Sequence, residues 1–204
     1  MDTVAASPGM AAFDDPPADP IALFSVLLTE AEPIVAEPTA AALATIDRNG
    51  TPSNRMIRIL HVEDGALIFS SHSVSQKGRD AHDTGVGAIA LYWRETGQQI
   101  TFSGRLWATD HTVSDRLWDE RDSSTHPMSV ATVQSAVLTD ERELRARADA
   151  LAAGAADLPR PATWVGFELV PDTVEFWHVG THRLHRRLRY DHKDGLWTAR
   201  RLQP

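Results

Sequence analysis

AALATIDRNG, residues 41–50, is an apolar run that ends in Asn49-Gly50, the dipeptide most typical of a tight β-hairpin turn. Residues 53–62 then predict the return strand, and Asp64-Gly65 turns the chain into another apolar run at residues 66–71. Tight turns join antiparallel strands, because parallel neighbours need a crossover of about a dozen residues or more. The stretch 41–71 therefore predicts an antiparallel sheet.

The same pattern continues beyond this stretch. Residues 88–94 and 98–108 predict two strands joined by the turn Glu95-Thr96-Gly97. After a proline-rich break, alternation predicts four more strands, at residues 164–170, 173–178, 183–190 and 196–201. Helical periodicity predicts helices that begin near Pro20, Ser75, Val113 and Asp140. We therefore predict a mainly β fold, an antiparallel barrel with peripheral α-helices, as a single domain over residues 21–204.

The composition limits the function. The chain has 204 residues, no cysteine and a formal net charge of -8. The lack of cysteine excludes disulfides, thiolate nucleophiles and cysteine zinc sites, and the acidic charge disfavours broad nucleic-acid binding. No apolar run approaches membrane-spanning length, and the N-terminus lacks the order of a secretion signal. We predict a cytoplasmic protein whose residues 1–20, rich in Ala, Pro and Asp, form a disordered arm.

Positive charge concentrates in RLHRRLRY, residues 183–190. Read as a strand, this segment places on one face Arg183, His185, Arg187 and Arg189. Such a row repels itself unless an anion or several carboxylates lie opposite. It is typical either of a solvated barrel edge kept soluble by arginine or of an anion-recognition strand. Taken alone, the segment favours the solvated edge.

A second polar cluster lies where a strand ends and a helix begins. Ser70-Ser71 ends the strand, and Ser75-Gln76-Lys77 opens the helix. Hydroxyls, free backbone N–H groups and one ammonium suit a phosphate, although a capped and solvated helix start uses the same residue types.

Other motifs point away from common chemistries. Four histidines are close in sequence, His178, His182, His185 and His192. A strand–turn–strand would scatter them and the neighbouring arginines would oppose a cation, so we predict no metal site. A serine nucleophile and a Rossmann domain both lack their main signal, because the chain contains neither G-x-S-x-G nor G-x-G-x-x-G.

Several separated motifs together resemble one known family. In order they are Arg55-Met56-Ile57, Ser75-Gln76-Lys77-Gly78-Arg79, Tyr92-Trp93-Arg94, Gln98-Gln99-Ile100, Gln134-Ser135, Glu175-Phe176-Trp177 and Arg183-Leu184-His185 with Arg187. This succession resembles the pyridoxamine 5'-phosphate oxidase family of FMN-dependent oxidases. Within that family, Thr125-His126-Pro127-Met128-Ser129 is more similar to the phenazine-biosynthesis oxidases. The resemblance implies an FMN-binding split β-barrel and an obligate homodimer, with two FMN molecules in clefts between the subunits.

The resemblance also implies the residues of the flavin site. By matching positions, the flavin phosphate, the ribityl chain and the adjacent cleft would be held by Arg55, Met56, Ser70, Ser71, Gln76 and Lys77. Gln99 would reach the edge of the isoalloxazine ring. The site would be completed by Gln134, Ser135, Trp177 and Arg187, some of them from the partner subunit. Hydride chemistry belongs to the flavin, so no protein nucleophile is required.

The substrate positions depart from the vitamin B6 oxidases. Those enzymes hold the substrate phosphate with a lysine, a tyrosine, an arginine and a serine, where this chain has Leu60, Leu117, Arg121 and Thr125. Each lost charge-assisted hydrogen bond costs about 1.5–3 kcal/mol, so two leucines would weaken phosphate binding about a hundredfold. We expect a larger, less polar substrate, with Arg121 and the catalytic residues Arg183 and His185 left to meet its carboxylate groups or cover its ring. A neutral His185 is able to accept a proton, whereas Arg183 is too basic.

The preferred function is an FMN-dependent oxidase in phenazine biosynthesis. It would aromatise a hexahydro- or tetrahydrophenazine carboxylic acid, with dioxygen as electron acceptor and hydrogen peroxide as product. The alternatives are a pyridoxine/pyridoxamine 5'-phosphate oxidase with an altered clamp, a non-catalytic flavin-binding split barrel and, less favoured, a split barrel for deazaflavin or haem. We expect no nucleic-acid or membrane partner.

Overall fold

The computed structural model describes residues 8–154 and 157–204. The helices are α1 (Pro8–Ala11), α2 (Pro20–Ala31), α3 (Gln76–Thr84), α4 (His111–Asp119), α5 (His126–Ala131) and α6 (Glu141–Gly154). The strands are β1 (Ala40–Ile46), β2 (Pro52–Arg58), β3 (His61–Glu63), β4 (Ala66–His72), β5 (Val86–Trp93), β6 (Gln98–Ala108), β7 (Trp164–His178), β8 (Arg186–Lys193) and β9 (Leu196–Leu202). No helix in the described ranges is long and apolar enough to cross a membrane.

The strands form one curled antiparallel sheet, as the sequence predicts. Its order is β2-β1-β5-β6-β7-β4-β3, while β8 pairs with β7 and β9 pairs with β8. Strand β7 organises this sheet, since its first half pairs with β4, its second half pairs with β8, and β6 runs along both halves. The predicted mainly β fold with peripheral helices is therefore confirmed.

The opening hairpin forms with a longer loop than its dipeptide suggests. Ile46 pairs with Pro52, so five residues lie between the strands rather than two. The Asp47 carboxylate accepts hydrogen bonds from the backbone N–H groups of Asn49 and Thr51, both at 2.8 Å. These bonds lower the pKa of Asp47 and hold the loop, while Gly50 supplies the left-handed conformation at φ 84°.

Two strand predictions need correction. The predicted return strand at residues 53–62 is interrupted, because β2 ends at Arg58 and β3 begins at His61. The two strands predicted at residues 164–170 and 173–178 are one continuous strand, β7. Its neighbour β6 has an irregular register next to Gly104, where a Cβ would lie 2.2 Å from the Val170 carbonyl oxygen. The irregularity lets β7 bend and serve two neighbours.

Helix α2 closes one side of the core. Asp19 caps it by accepting a hydrogen bond from Ile21 N at 2.8 Å, in the way its sequence predicts. Phe24 is fully buried and meets Phe102 edge-to-face, with ring centroids 4.9 Å apart. The helix therefore buries an apolar stripe against the inside of the curled sheet.

The N-terminal segment differs from the disordered arm expected over residues 1–20. Residues 1–7 lie outside the described residues, but residues 13–17 contact the C-terminal strands. Phe13 is 5% exposed, and its carbonyl oxygen accepts a hydrogen bond from Arg201 at 2.8 Å. Arg186 Cζ lies 5.0 Å from the centre of the Phe13 ring, and the Tyr190 hydroxyl donates a hydrogen bond to the Pro17 carbonyl oxygen at 3.0 Å. These contacts are long-range, so local composition did not predict them.

Candidate functional site

A cavity of about 1320 Å³ opens beside the end of β4 and is walled by β2, α3, α4, α5 and the segment that leads into α6. It collects many of the side chains singled out from the sequence. Those that line it are Met56, Leu60, Ser70, Ser71, Lys77, Leu117, Arg121, Thr125, Gln134 and Ser135. Ligand pockets usually measure about 300–1,000 Å³, so this one has room for more than one small molecule.

The polar end of the cavity is built at the start of α3. Ser75 caps the helix, and Gly78 permits its close approach to the preceding strand, because a Cβ there would lie 2.3 Å from the Ser73 carbonyl oxygen. Lys77 Nζ donates to Ser71 Oγ at 3.0 Å, Ser75 Oγ at 3.2 Å and Gln134 Oε1 at 3.3 Å. All three acceptors are neutral, so the ammonium charge is held in place without being compensated.

Burial makes this charge costly. Desolvation lowers the pKa of Lys77, and the positive charge of Arg55 lowers it further. Arg55, which was predicted to hold the flavin, is not among the lining residues in the described ranges; it donates to the Leu43 carbonyl oxygen at 3.0 Å and to Thr45 Oγ1 at 2.8 Å. The Asp80 carboxylate lies 3.9 Å from it, and burial lowers the pKa of Arg55. The polar end therefore favours an anion beside Lys77.

Gln134 and Ser135 belong to this same end. Ser71 Oγ donates to Gln134 Oε1 at 2.9 Å, and the backbone N–H of Gln76 donates to Ser135 Oγ at 3.3 Å. Ser135 has a positive φ of 71°, a conformation that costs free energy for a residue with a side chain. The segment after α5 is therefore held against the start of α3 within one chain.

The opposite wall carries the predicted substrate positions. Leu117 is 2% exposed and Leu60 is 39% exposed, and both line the cavity. The Arg121 guanidinium donates to Ser129 Oγ at 2.6 Å and lies 5.7 Å from the centre of the Trp164 ring. Burial lowers the pKa of Arg121. On this wall the apolar side chains of Leu60, Leu117 and Trp164 lie near the Arg121 guanidinium.

The cavity is also lined by residues that were not predicted as site residues, among them His72, Ser129 and Trp164. His72 is 5% exposed, its Nδ1 lies 3.2 Å from Thr163 Oγ1, and its pKa is lowered by burial and then by Arg121 and Lys77. The sequence carried a signal for two of them, because His72 directly follows Ser70-Ser71 and Ser129 ends the motif at residues 125–129. Trp164 carried no signal beyond its type.

A second group of predicted residues lies on β6, β7 and β8 and in the turn before β8. Gln99 pairs with Trp177 across β6 and β7, and Trp177 pairs with Arg187 across β7 and β8. The His185 ring lies 4.8 Å from the Trp177 ring. None of these four is among the residues that line the cavity in the described part of the same chain. The structure therefore divides the predicted site residues into two groups.

The arginine-rich segment also needs correction. Strand β8 begins at Arg186, so Arg183 and His185 lie in the preceding turn rather than on the strand face with Arg187. Arg183 is exposed and has a positive φ of 63°. Gly180 allows the chain to fold back, since a Cβ there would lie 1.8 Å from the Leu184 carbonyl oxygen.

Carboxylates face the arginines that do lie on β8. Arg187 Nε is 2.7 Å from Glu175 Oε1, and Glu175 raises the pKa of Arg187. Arg189 lies 3.1 Å from Asp191 and 3.8 Å from Glu175. Each of these two arginines therefore has a carboxylate from the same sheet beside it, which is the arrangement that the sequence analysis required for such a row.

Comparison with known proteins agrees with this architecture. The family described as pyridoxamine 5'-phosphate oxidase matches residues 27–178, and the pyridoxine 5'-phosphate oxidase C-terminal dimerisation region matches residues 164–204. A dihydrophenazinedicarboxylate synthase from Burkholderia lata is 44% identical over 193 residues, which cover 94% of this chain and 91% of the relative. A pyridoxine/pyridoxamine 5'-phosphate oxidase from Mannheimia succiniciproducens is 34% identical, covering 91% and 89%.

A solved structure is similar over nearly the whole fold. The crystal structure of PhzG from Burkholderia lata in complex with tetrahydrophenazine-1-carboxylic acid superimposes with a TM-score of 0.93 at 44% identity, covering 95% of this chain and 96% of that one. The higher identity to the phenazine relative than to the B6 oxidase confirms the predicted closer likeness. The relatives are named oxidases and synthases, so the predicted oxidoreductase class is also confirmed. The chain belongs to the pyridoxamine 5'-phosphate oxidase family.

Proposed function

We propose that this protein is an FMN-dependent oxidase that aromatises a partly reduced phenazine carboxylic acid. Two hydrogen atoms leave the substrate in each turnover, and dioxygen is reduced to hydrogen peroxide. The observation that carries the proposal is the cavity itself, which places the ammonium of Lys77 among neutral acceptors at one end and Arg121 beside leucine side chains at the other. A phosphorylated flavin suits the first feature, and a flat carboxylate suits the second.

The residues at the polar end fit a flavin phosphate. Lys77 supplies a buried cation, Ser71 and Ser75 supply hydroxyls, and the start of α3 supplies backbone N–H groups. An anion there offsets the desolvation that lowers the pKa of Lys77. Gln134, fixed by Ser71, offers an amide to the polar part of the flavin. Bound FMN would supply the hydride acceptor, and the protein would position the two reactants.

A second copy of the chain would complete the site. Gln99, Trp177, His185 and Arg187 do not reach the cavity of their own chain, although the resemblance assigns all four to the active site. Three of them lie within residues 164–204, the segment that matches a dimerisation region. We therefore propose a homodimer in which each cavity receives these residues from the partner.

The geometry around His185 favours a donor role. Its Nδ1 accepts a hydrogen bond from the Gly180 backbone N–H at 3.3 Å, so the neutral ring carries its proton on Nε2. From residue type alone, a neutral His185 is able to act as a proton acceptor. In this arrangement His185 instead presents an N–H to the substrate, and Trp177 holds the ring in place.

The test compares two substrates under identical conditions. The purified protein, reconstituted with FMN, is mixed in air with tetrahydrophenazine-1-carboxylic acid or with pyridoxine 5'-phosphate, and oxygen uptake and peroxide release are measured. We expect efficient turnover of the phenazine and a kcat/KM for pyridoxine 5'-phosphate about a hundredfold lower, because two phosphate donors are leucines. Comparable turnover of pyridoxine 5'-phosphate would overturn the proposal, and bound FMN that neither compound reduces would support a non-catalytic flavin protein.

A further inference from the structure

Arg121 is a partly buried cation that has no countercharge in its contacts. Within the described residues its guanidinium touches the Ser129 hydroxyl and the Trp164 ring, and both of these are neutral. Its carboxylate neighbours in sequence are engaged elsewhere. Glu120 lies 2.7 Å from His61 Nε2 and 3.4 Å from Arg116, and Asp122 accepts a hydrogen bond from Ser124 N at 2.9 Å. Arg121 is therefore left available to an anion in the cavity.

Ser129 holds one side of this guanidinium. Ser129 is 8% exposed, and the only proton of its hydroxyl goes to the Thr125 carbonyl oxygen at 3.1 Å. A lone pair of the same oxygen accepts from Arg121 NH1 at 2.6 Å. Because the donor and acceptor roles of the hydroxyl are both used, Ser129 fixes one edge of the arginine and leaves its other N–H groups free.

Trp164 holds the arginine from a second direction. The ring centre lies 5.7 Å from Arg121 Cζ, within the range of a cation–π contact. Trp164 is itself 3% exposed and packs edge-to-face on Trp118 at 5.0 Å. Trp118 in turn stacks on His126 at 3.9 Å. The ring that supports Arg121 is therefore part of a rigid aromatic cluster.

We propose that Ser129 and Trp164 are positioning residues that hold Arg121 ready to bind a carboxylate of the substrate. The inference rests on the proposed function, since it assigns the part of the cavity that recognises the acid group of the tricyclic substrate. A planar guanidinium binds a carboxylate through two parallel hydrogen bonds, so its orientation matters as well as its charge. Fixing that orientation beforehand removes part of the entropy cost of binding.

The test uses the FMN-loaded protein and two stable probes that differ in charge, phenazine-1-carboxylate and the uncharged phenazine-1-carboxamide. Binding is measured by titration calorimetry for the wild type, Ser129→Ala, Ser129→Thr and Trp164→Phe. Loss of one such hydrogen bond predicts about 3- to 10-fold weaker binding of the acid to Ser129→Ala. Binding of the carboxamide is expected to stay within about twofold, and Ser129→Thr is expected to restore the acid affinity.

Two controls distinguish a loss of Arg121 positioning from a general disturbance of the fold. Ser124→Ala, an exposed serine in the neighbouring turn, is expected to leave both affinities unchanged. In an Arg121→Met background, adding Ser129→Ala is expected to cause no further loss, because the hydroxyl acts through the arginine. With tetrahydrophenazine-1-carboxylic acid, Ser129→Ala is expected to raise KM while kcat stays within about twofold.

The outcomes for the two proposals are distinct. An unchanged preference of Ser129→Ala for the acid, or equal losses for acid and carboxamide, would overturn the positioning role. Turnover of tetrahydrophenazine-1-carboxylic acid by the wild type would leave the proposed function standing in that case. If Ser129→Ala selectively loses affinity for phenazine-1-carboxylate but the wild type does not turn over tetrahydrophenazine-1-carboxylic acid, the anion site is supported and the proposed oxidase function is contradicted.

Discussion

Replacing Lys77 with methionine separates the binding of the flavin phosphate from the stability of the fold. Methionine keeps most of the apolar stem and removes the ammonium, whose three contacts are to Ser71, Ser75 and Gln134. A hydrogen bond to a charged group contributes about 1.5–3 kcal/mol, so FMN is expected to bind about 10- to 100-fold more weakly. Riboflavin lacks the phosphate and is expected to bind both proteins with similar affinity.

In the absence of FMN, the free energy of unfolding of Lys77→Met is expected to equal or exceed that of the wild type. Burial lowers the pKa of Lys77, so the unfolded chain holds this proton more tightly than the folded one. The charged lysine therefore costs stability at neutral pH, and that cost disappears as the pH rises toward the unfolded value of about 10.4. Without its ligand, Lys77→Met is expected to unfold at a urea concentration equal to or higher than the wild type.

Flavin fluorescence titration and urea denaturation measure these two effects. Lys193→Met is the matched control, because this lysine is exposed near the turn between β8 and β9. Equal losses of FMN and riboflavin affinity in Lys77→Met would refute a phosphate role for the ammonium. A marked fall in apoprotein stability would show instead that Lys77 is a structural group.

Three further predictions follow from other parts of the molecule. Burial raises the pKa of Tyr190 to about 12, with Asp19 adding to the shift, so the unfolded chain loses this proton first. Stability therefore falls by at most about 3 kcal/mol as the pH rises from about 10 to 12, and Tyr190→Phe should flatten the decline in urea unfolding. Phe13→Ala should cost about 3 kcal/mol in the same assay, whereas a residue of a disordered arm would cost less than about 0.5 kcal/mol. Leu60→Lys should lower KM for pyridoxine 5'-phosphate about tenfold. Leu117→Tyr, at a site only 2% exposed, should destabilise the protein by about 1–3 kcal/mol without lowering this KM. An unchanged KM in Leu60→Lys would contradict the assignment of Leu60 to the position of a phosphate-binding residue.

The fold was largely predictable because its strongest signals are local. Asn49-Gly50 marks a hairpin, Asp19 caps α2 and Ser75 caps α3, and each of these acts on backbone groups only a few residues away. Alternation then identified most of the strands. Its errors fell where a neighbouring strand decides the outcome, as in the continuous strand β7 and the late start of β8.

The candidate site was predictable only in part. The motifs named Lys77, Arg121 and Leu117, and the structure places all three on one cavity. They assigned no site role to Ser129 or Trp164, because the importance of these two comes from their contact with Arg121 and not from their residue type.

The amino-acid sequence by itself determined the antiparallel strands, the helix caps and the family, since these depend on residue types at short or fixed spacing. Only the tertiary structure decided which charges are compensated. It pairs Arg187 with Glu175, 12 residues away, while it leaves Lys77 and Arg121 among neutral groups that face a cavity. The sequence alone does not show that the charge of Arg187 is compensated while the charges of Lys77 and Arg121 are not. They differ because a charge acts according to what lies within a few ångströms of it, and the folded chain alone sets those distances.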